Sequence, residues 1–325
     1  MAHFSEKWHH SLCRYLSLSY DRELSFGIIP GWCREVVGKR DWIYTTPECH
    51  GSRQTYVWTD FHAKKLERSN IMTSYYGIAP FLLDAGRVVS SCEEPKGSLF
   101  FLPRDDQKTI REWGDWKSVQ EVIDSAPKPI HFLVPFRVCD VWQEWTKLNL
   151  HGFPYERLDN PETRQLRLSK LIIEHENIYI PWPNTDMYYS EFLDKNVIIY
   201  DDIRKYRTKT YEEDQFKRTD KWVMQLKWGY ETLNQVQRDY FHWTEKWNDI
   251  SYNDRKYLTI KSLGLERLES PEQLSRNLRR GGFLPAGNIK HDEDSYKSYL
   301  WLKGKIDNIM THSPSEKCLE MYSKL

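Results

Sequence analysis

The 325-residue chain has no run approaching the ~20 consecutive apolar residues of a membrane-spanning helix, so no membrane span is expected. Its first stretch, MAHFSEKWHH, lacks a charged segment followed by an apolar one, and no secretion signal is expected. Net charge is also lacking: 47 Lys and Arg balance 47 Asp and Glu. No global field therefore draws the protein to nucleic acid or to an anionic membrane, although local basic patches can still do so. Cysteine is sparse and scattered. Cys13, Cys33, Cys49, Cys92, Cys139 and Cys318 include no CxxC pair and no regular spacing. That argues against a zinc site and a disulfide framework, and it suits a reducing cytosol. Internal repeats and low-complexity segments are absent too.

Aromatics are abundant, with 14 Trp and 20 Tyr. Aromatic faces stack on sugars and bases, but they also fill cores, and packing is the default reading for most of them. A hydrophobic content of 39% beside 29% charged residues describes a folded globular chain. The length makes two domains the natural expectation.

The most informative stretch runs from Glu174 to Tyr200, EHENIYIPWPNTDMYYSEFLDKNVIIY. Ile178, Tyr179 and Ile180 form a short apolar run, halted by Pro181 and Pro183. Thr185-Asp186 opens a helix, and Asn196 to Tyr200 is a β-branched run typical of a buried parallel strand. The spacing predicts one βαβ unit. Its loop lies at the carboxyl end of the first strand, where open α/β sheets bind ligands. Asn184, Thr185 or Asp186 can cap the helix, leaving backbone N–H groups free to hold a phosphate. An ordinary cap on an ordinary helix is the competing reading.

Elsewhere in the first part, LSFGII (Leu24 to Ile29), TYVW (Thr55 to Trp58) and SLFFL (Ser98 to Leu102) read as strands. Helical or loop material lies between them, including Trp8 to Leu16 and Asp60 to Glu67, which implies a parallel sheet. A second alternating block begins after Pro127-Lys128-Pro129, with a strand at Ile130 to Val134 and a helix at Val138 to Leu148. A turn with Gly152 follows, then a helix from Glu162 to Ile173 whose apolar face is Leu166, Leu168, Leu171 and Ile172. Beyond Tyr206 the pattern turns helical. Trp222, Leu226, Tyr230, Leu233, Val236, Tyr240, Trp243 and Trp247 step by three and four along one long helix. Ser270-Pro271-Glu272 starts another helix, which Gly281-Gly282 closes. The expected domains are therefore residues 1–118, residues 119–210 and a helical tail over 211–325 that packs on both.

Two Rossmann-like halves facing a cleft, with closing helices, describe the GT-B architecture. GIIPGW (Gly27 to Trp32), YVWTDFHAKKL (Tyr56 to Leu66) and YYGIAPFLL (Tyr75 to Leu83) resemble segments of bacterial and phage GT-B-type glycosyltransferases of the capsular-polysaccharide kind. IHFLVPFRVCDVW, the turn HGF and NTDMYYSEFLDKNVIIY resemble the donor-binding domain of that group. The resemblance covers about residues 24–200. Where relatives often carry a Ser/Thr pair in the phosphate loop, this chain has Asn184-Thr185. The resemblance implies an α/β, GT-B-like fold and a cytoplasmic enzyme of the inverting type. It would transfer sugar from a nucleotide-activated donor to a glycan or DNA acceptor without metal or cofactor.

On the donor side, Asn184, Thr185 and Asp186 would meet the phosphates, while Arg137 and Asp140 stand after the preceding strand. Arg137 can neutralise a phosphate through its fork of donors, or be a solvated surface charge. One of Tyr188 and Tyr189 is expected to face the core and the other the crevice, where it would pack on a base or sugar. An inverting transfer also needs a general base for the acceptor hydroxyl. The N-terminal half offers His50, Asp60, His62 and Asp105, although Asp60 is equally a helix cap. His9-His10 reads as solvent-facing. Asp105-Asp106, Asp201-Asp202 and the HDED run at His291 to Asp294 are the carboxylate clusters to weigh for a cation. Adjacent carboxylates point to different sides, and HDED reads as a solvated turn, so no metal is expected.

A DNA acceptor would need a basic groove with aromatic wedges. Arg204, Lys205, Arg207 and Lys209 are basic, as are Arg276, Arg279 and Arg280. Residues 201–220, however, hold six acids and six bases. A phage-type DNA base glycosyltransferase, a non-catalytic nucleotide- or glycan-binding module and a nucleotide-sugar epimerase are the alternatives.

Overall fold

The computed structural model describes residues 6–18, 54–57, 72–75, 80–102, 116–134, 155–157, 160, 162–180, 185–200, 246–280, 284 and 287–323. In chain order the elements are α1 (Glu6–Tyr15), β1 (Gln54–Val57), β2 (Met72–Tyr75), a 3-10 turn (Pro80–Asp84) running into α2 (Ala85–Val88), and β3 (Ser98–Phe101). Next come α3 (Trp116–Ser125), β4 (Ile130–Val134), β5 (Tyr155–Arg157), α4 (Arg164–Ile173), β6 (Asn177–Ile180), α5 (Thr185–Phe192) and β7 (Asn196–Ile199). A 3-10 turn at Trp247–Asp249 precedes α6 (Tyr252–Leu263), α7 (Pro271–Arg280), α8 (Glu293–Ile309) and α9 (Glu316–Ser323). Among the described residues no helix is long and apolar enough to cross a membrane.

The chain divides into two compact units, one of residues 1–92, 160–170 and 251–325, the other of residues 93–159 and 171–250. The second unit is α/β. Its five strands lie in the order β5-β4-β3-β6-β7, and every neighbouring pair is parallel. Counted from its own first strand the order is 3-2-1-4-5, that of a doubly wound sheet, with the reversal between β3 and β6. The central strands β3 and β6 are short, largely apolar runs buried along their whole length, as strands covered on both faces are. On one face Phe132, Phe100 and Tyr179 stand in register across three strands. Phe100 and Tyr179 stack at 4.1 Å and 7°, and Phe100 meets Phe132 at 5.4 Å. At the amino end the Asn196 amide donates to Asn177 (2.8 Å), and the Asn177 amide donates to the Gly97 carbonyl (3.1 Å). Gly97 has φ +66°, and a Cβ there would meet the Pro129 carbonyl oxygen at 2.1 Å, so only glycine fits.

The sheet includes a segment read with the first part of the sequence. The segment Ser98 to Leu102 was expected in a 1–118 domain, yet β3 is the central strand beside β4 and β6. A parallel sheet needs a crossover between neighbours, and α3 supplies it from β3 to β4, binding the segment to the later strands.

The first unit joins α1, α2 and α6–α9 with the two-stranded parallel pair β1-β2. The helices after residue 250, part of the tail expected over 211–325, share a unit with residues 1–92. A polar knot ties them. Asp84, fully buried, accepts from the Ser11 hydroxyl (2.5 Å) and from the Arg14 guanidinium (2.5 and 2.8 Å). Arg87 donates to the Arg14 carbonyl (2.7 Å), to Ser295 (2.8 Å) and to Asp292 (3.2 Å). Ser298 donates to the Leu83 carbonyl (2.7 Å), its Cα close enough to Gly86 that a Cβ there would sit 2.7 Å away. His10, expected at the surface, is buried at 5% exposure, because α1 is covered on more than one side there: Ser11, Leu12 and Cys13 are buried as well.

The later helices start at side-chain caps, of which the sequence reading named Ser270. Ser251, Ser270, Asp292 and Ser315 each accept from the backbone N–H three residues on. Gly264 ends α6 in the left-handed conformation, φ +63°. HDED is therefore a helix start rather than a free turn, with Asp292 as the cap. The long helix expected over Trp222 to Trp247 lies outside the described residues except at its end, where Trp247 opens the 3-10 turn.

Candidate functional site

The βαβ unit read from Glu174 to Tyr200 is present as β6, α5 and β7, with Asn177 to Ile180 paired in parallel to Asn196 to Ile199. Tyr200 extends the ladder by one residue, its N–H donating to the Ile180 carbonyl at 3.1 Å. α5 begins at Thr185, so Thr185 and Asp186 lie in its first turn, where backbone N–H groups have no acceptor within the helix. Met187, Tyr188, Tyr189 and Phe192 are fully buried, which fixes the helix on the sheet. The Ser190 hydroxyl donates to the Asp186 carbonyl (2.8 Å). The chain then leaves through Asp194 at φ +57°, and Lys195 Nζ donates to the Ile173 carbonyl (2.6 Å).

The carboxyl edge around the strand-order reversal is tied by three side chains. The Tyr200 hydroxyl donates to the Phe101 carbonyl at 2.8 Å, from the end of β7 to the end of β3 and past β6 between them. Its ring lies 5.8 Å from Phe100. Asn248 forms a two-way pair with the backbone of Ile199 on the edge strand: its oxygen accepts from the N–H and its amide donates to the carbonyl, both at 3.3 Å. Trp247, 1% exposed, meets Tyr188 in the first turn of α5 edge-on, with centroids 5.4 Å apart and planes at 88°.

Most of the expected site residues are not among the described ones. His50, Asp60, His62 and Asp105, the candidate bases, fall outside the described residues, as do Arg137, Asp140 and Asn184. Asp186 is half-buried. The expectation that one of Tyr188 and Tyr189 faces an open crevice is corrected: both are at 0% exposure. Two adjacent positions on a helix diverge by about 100°, but a short helix enclosed on several sides buries both. Sequence reasoning missed Asn248 and the Tyr200 hydroxyl altogether. It placed Trp247 on a helix face, where its aromatic neighbours gave no hint of a separate turn.

Other candidate chemistry is muted. Among the described residues no group of three His, Cys, Asp or Glu side chains is placed to hold a metal ion. Among the described residues Cys13, Cys92 and Cys318 form no disulfide. Burial pushes the Cys13 thiol up to about 11, with the Arg14 charge opposing it. Burial, joined by the Asp254 carboxylate, pushes Cys318 up to about 12. Neither is a ready nucleophile.

No protein-family model matches the chain, and it matches no curated protein and no solved structure.

Proposed function

We propose that this protein is a GT-B-type glycosyltransferase that takes a sugar from a nucleotide-activated donor and passes it to a glycan or to a modified nucleobase. The observation that supports the reading most is the start of α5 at the carboxyl end of β6, beside β3, where the strand order of the sheet reverses. Ligands of open α/β sheets bind at that kind of crevice, and a helix start there favours a phosphate. The sequence resemblance over residues 24–200 is the second support.

In this reading the first turn of α5, with Asn184 and Thr185, holds the diphosphate or monophosphate, and Arg137 offsets its charge. A base from the N-terminal part, Asp60 or His50 first and His62 or Asp105 next, takes the proton of the acceptor hydroxyl. The acceptor oxygen bonds to the anomeric carbon as the carbon–oxygen bond to phosphate breaks. The nucleotide leaves with that electron pair, stabilised by helix N–H groups and by basic or hydroxyl side chains. Two Rossmann-like domains facing a cleft, an inverting course, a metal-free site and a cytoplasmic setting all belong to the same proposal. The scattered cysteines, with no CxxC pair, fit a reducing compartment.

The test is nucleotide release from a panel of nucleotide sugars, with and without glycan and DNA acceptors. Acceptor-dependent release is the expected result. Binding without release identifies a non-catalytic module, and donor conversion without acceptor identifies an epimerase. Either outcome overturns the proposal.

A further inference from the structure

We infer that Asn248 and Tyr200 are positioning residues for the helix start that the proposed function uses, and the inference rests on that reading. The elements concerned are short: α5 has eight residues, and β3, β6 and β7 have four each. Short strands at the edge of a sheet are held weakly by their own ladder, and β7 is the outermost strand beyond β6. Asn248 supplies what a further strand would have supplied. Its amide group occupies both the N–H and the carbonyl of Ile199, the last residue of β7. The adjacent Trp247 carries the same turn onto Tyr188, in the first turn of α5. One two-residue unit thus braces the edge strand and the helix start together.

Tyr200 acts from the other direction. Its N–H is bound to Ile180, the residue that ends β6, and its hydroxyl is bound to Phe101, which ends β3. The carboxyl ends of β3, β6 and β7 are therefore linked through one side chain at the point where the strand order reverses. Removing either tie leaves the buried residues of α5 in the core but frees the spacing between the strand ends and the helix start. A misplacement of about 1 Å in a binding constellation can cost up to about a hundredfold in function, so loss of a distant tie is readable in ligand affinity.

The experiment uses the full chain, with UDP, GDP, CDP and CMP as probes, and compares wild type with Asn248→Ala and Tyr200→Phe. Calorimetry well below the unfolding temperature gives the affinity for the best nucleotide, and a nucleotide-free melt gives stability. Each variant is expected to weaken that affinity by roughly tenfold while remaining folded, whatever the change in its melting temperature. Hydrogen exchange of the ligand-free protein is expected to quicken at the first-turn amides of α5 in both variants. Variants that melt lower yet bind the nucleotide as wild type does, with unchanged exchange at α5, overturn the positioning role and leave the functional proposal standing. A wild type that binds none of the four probes overturns the functional proposal instead. Exchange at α5 then still decides whether the two residues brace the helix start.

Discussion

The ring of Tyr188 meets the indole of Trp247 edge-on at 5.4 Å, and both side chains are at or below 1% exposure. This pair makes Tyr188 a core residue at the start of α5, although its position two residues after Asp186 invites a ligand role. Tyr188→Ala should cost about 3–5 kcal/mol of stability, the usual penalty for deleting a buried ring. Denaturant unfolding measures it. A loss below about 1 kcal/mol would show that the ring is not part of the core.

The phosphate role proposed for the helix start is separable from that packing. Asn184→Ala combined with Thr185→Ala should weaken nucleotide binding by about 1–3 kcal/mol if the side chains bond the phosphate. Calorimetry on a well-folded double variant decides. Unchanged affinity would reduce the pair to a plain helix cap.

If Asp60 or His50 is the general base, its replacement should leave donor binding intact and slow transfer by about 10²–10⁴-fold. Asp60→Asn and His50→Ala are the informative variants, read by sugar transfer beside nucleotide affinity. Should both transfer at the wild-type rate, the base is to be sought at Asp105 or His62.

Asp292 gives the α8 start a pH dependence. Desolvation works to raise its pKa, but the Ser295 hydroxyl and amide and the Arg87 guanidinium outweigh it and hold the carboxyl below its ordinary value. The folded pKa lies below the unfolded value of about 3.9, so the stabilisation is present above that value and is lost as pH falls through the folded one. Asp292 is half in solvent, so the effect is small. Melting temperatures of wild type and Asp292→Ala should differ at pH 7 and converge as pH falls below the ordinary carboxylate range. A gap that persists unchanged into acid would exclude this linkage.

Buried thiols should be slow to react. At pH 8, Cys13 and Cys318 are expected to resist a thiol reagent in the folded protein and to label readily in denaturant, because their pKa values are pushed to about 11 and about 12. Peptide mapping by mass spectrometry reads each site. Fast labelling of Cys318 under native conditions would contradict the burial that places it beside Asp254.

The sequence alone determined the local elements whose signals are contiguous. Ile178 to Ile180 and Asn196 to Ile199 are strands because short apolar and β-branched runs bounded by prolines and turns have few other stable forms. Ser270-Pro271 opens α7 because a serine cap and a proline at the first helical position both favour a start there. The tertiary structure decided which of these pieces belong together. Ser98–Phe101 became the centre of the five-stranded sheet through its pairing with Ile130–Val134 and Asn177–Tyr179, contacts between segments far apart in the chain that no local pattern encodes. The same holds for the burial of His10, Tyr188 and Tyr189, which depends on what covers each side of a helix. Asn248 and the Tyr200 hydroxyl carry no motif at all. Their roles exist only where the ends of β3 and β7 and the turn at Trp247 arrive side by side, because a hydrogen bond is set by distance in space and not by distance along the chain.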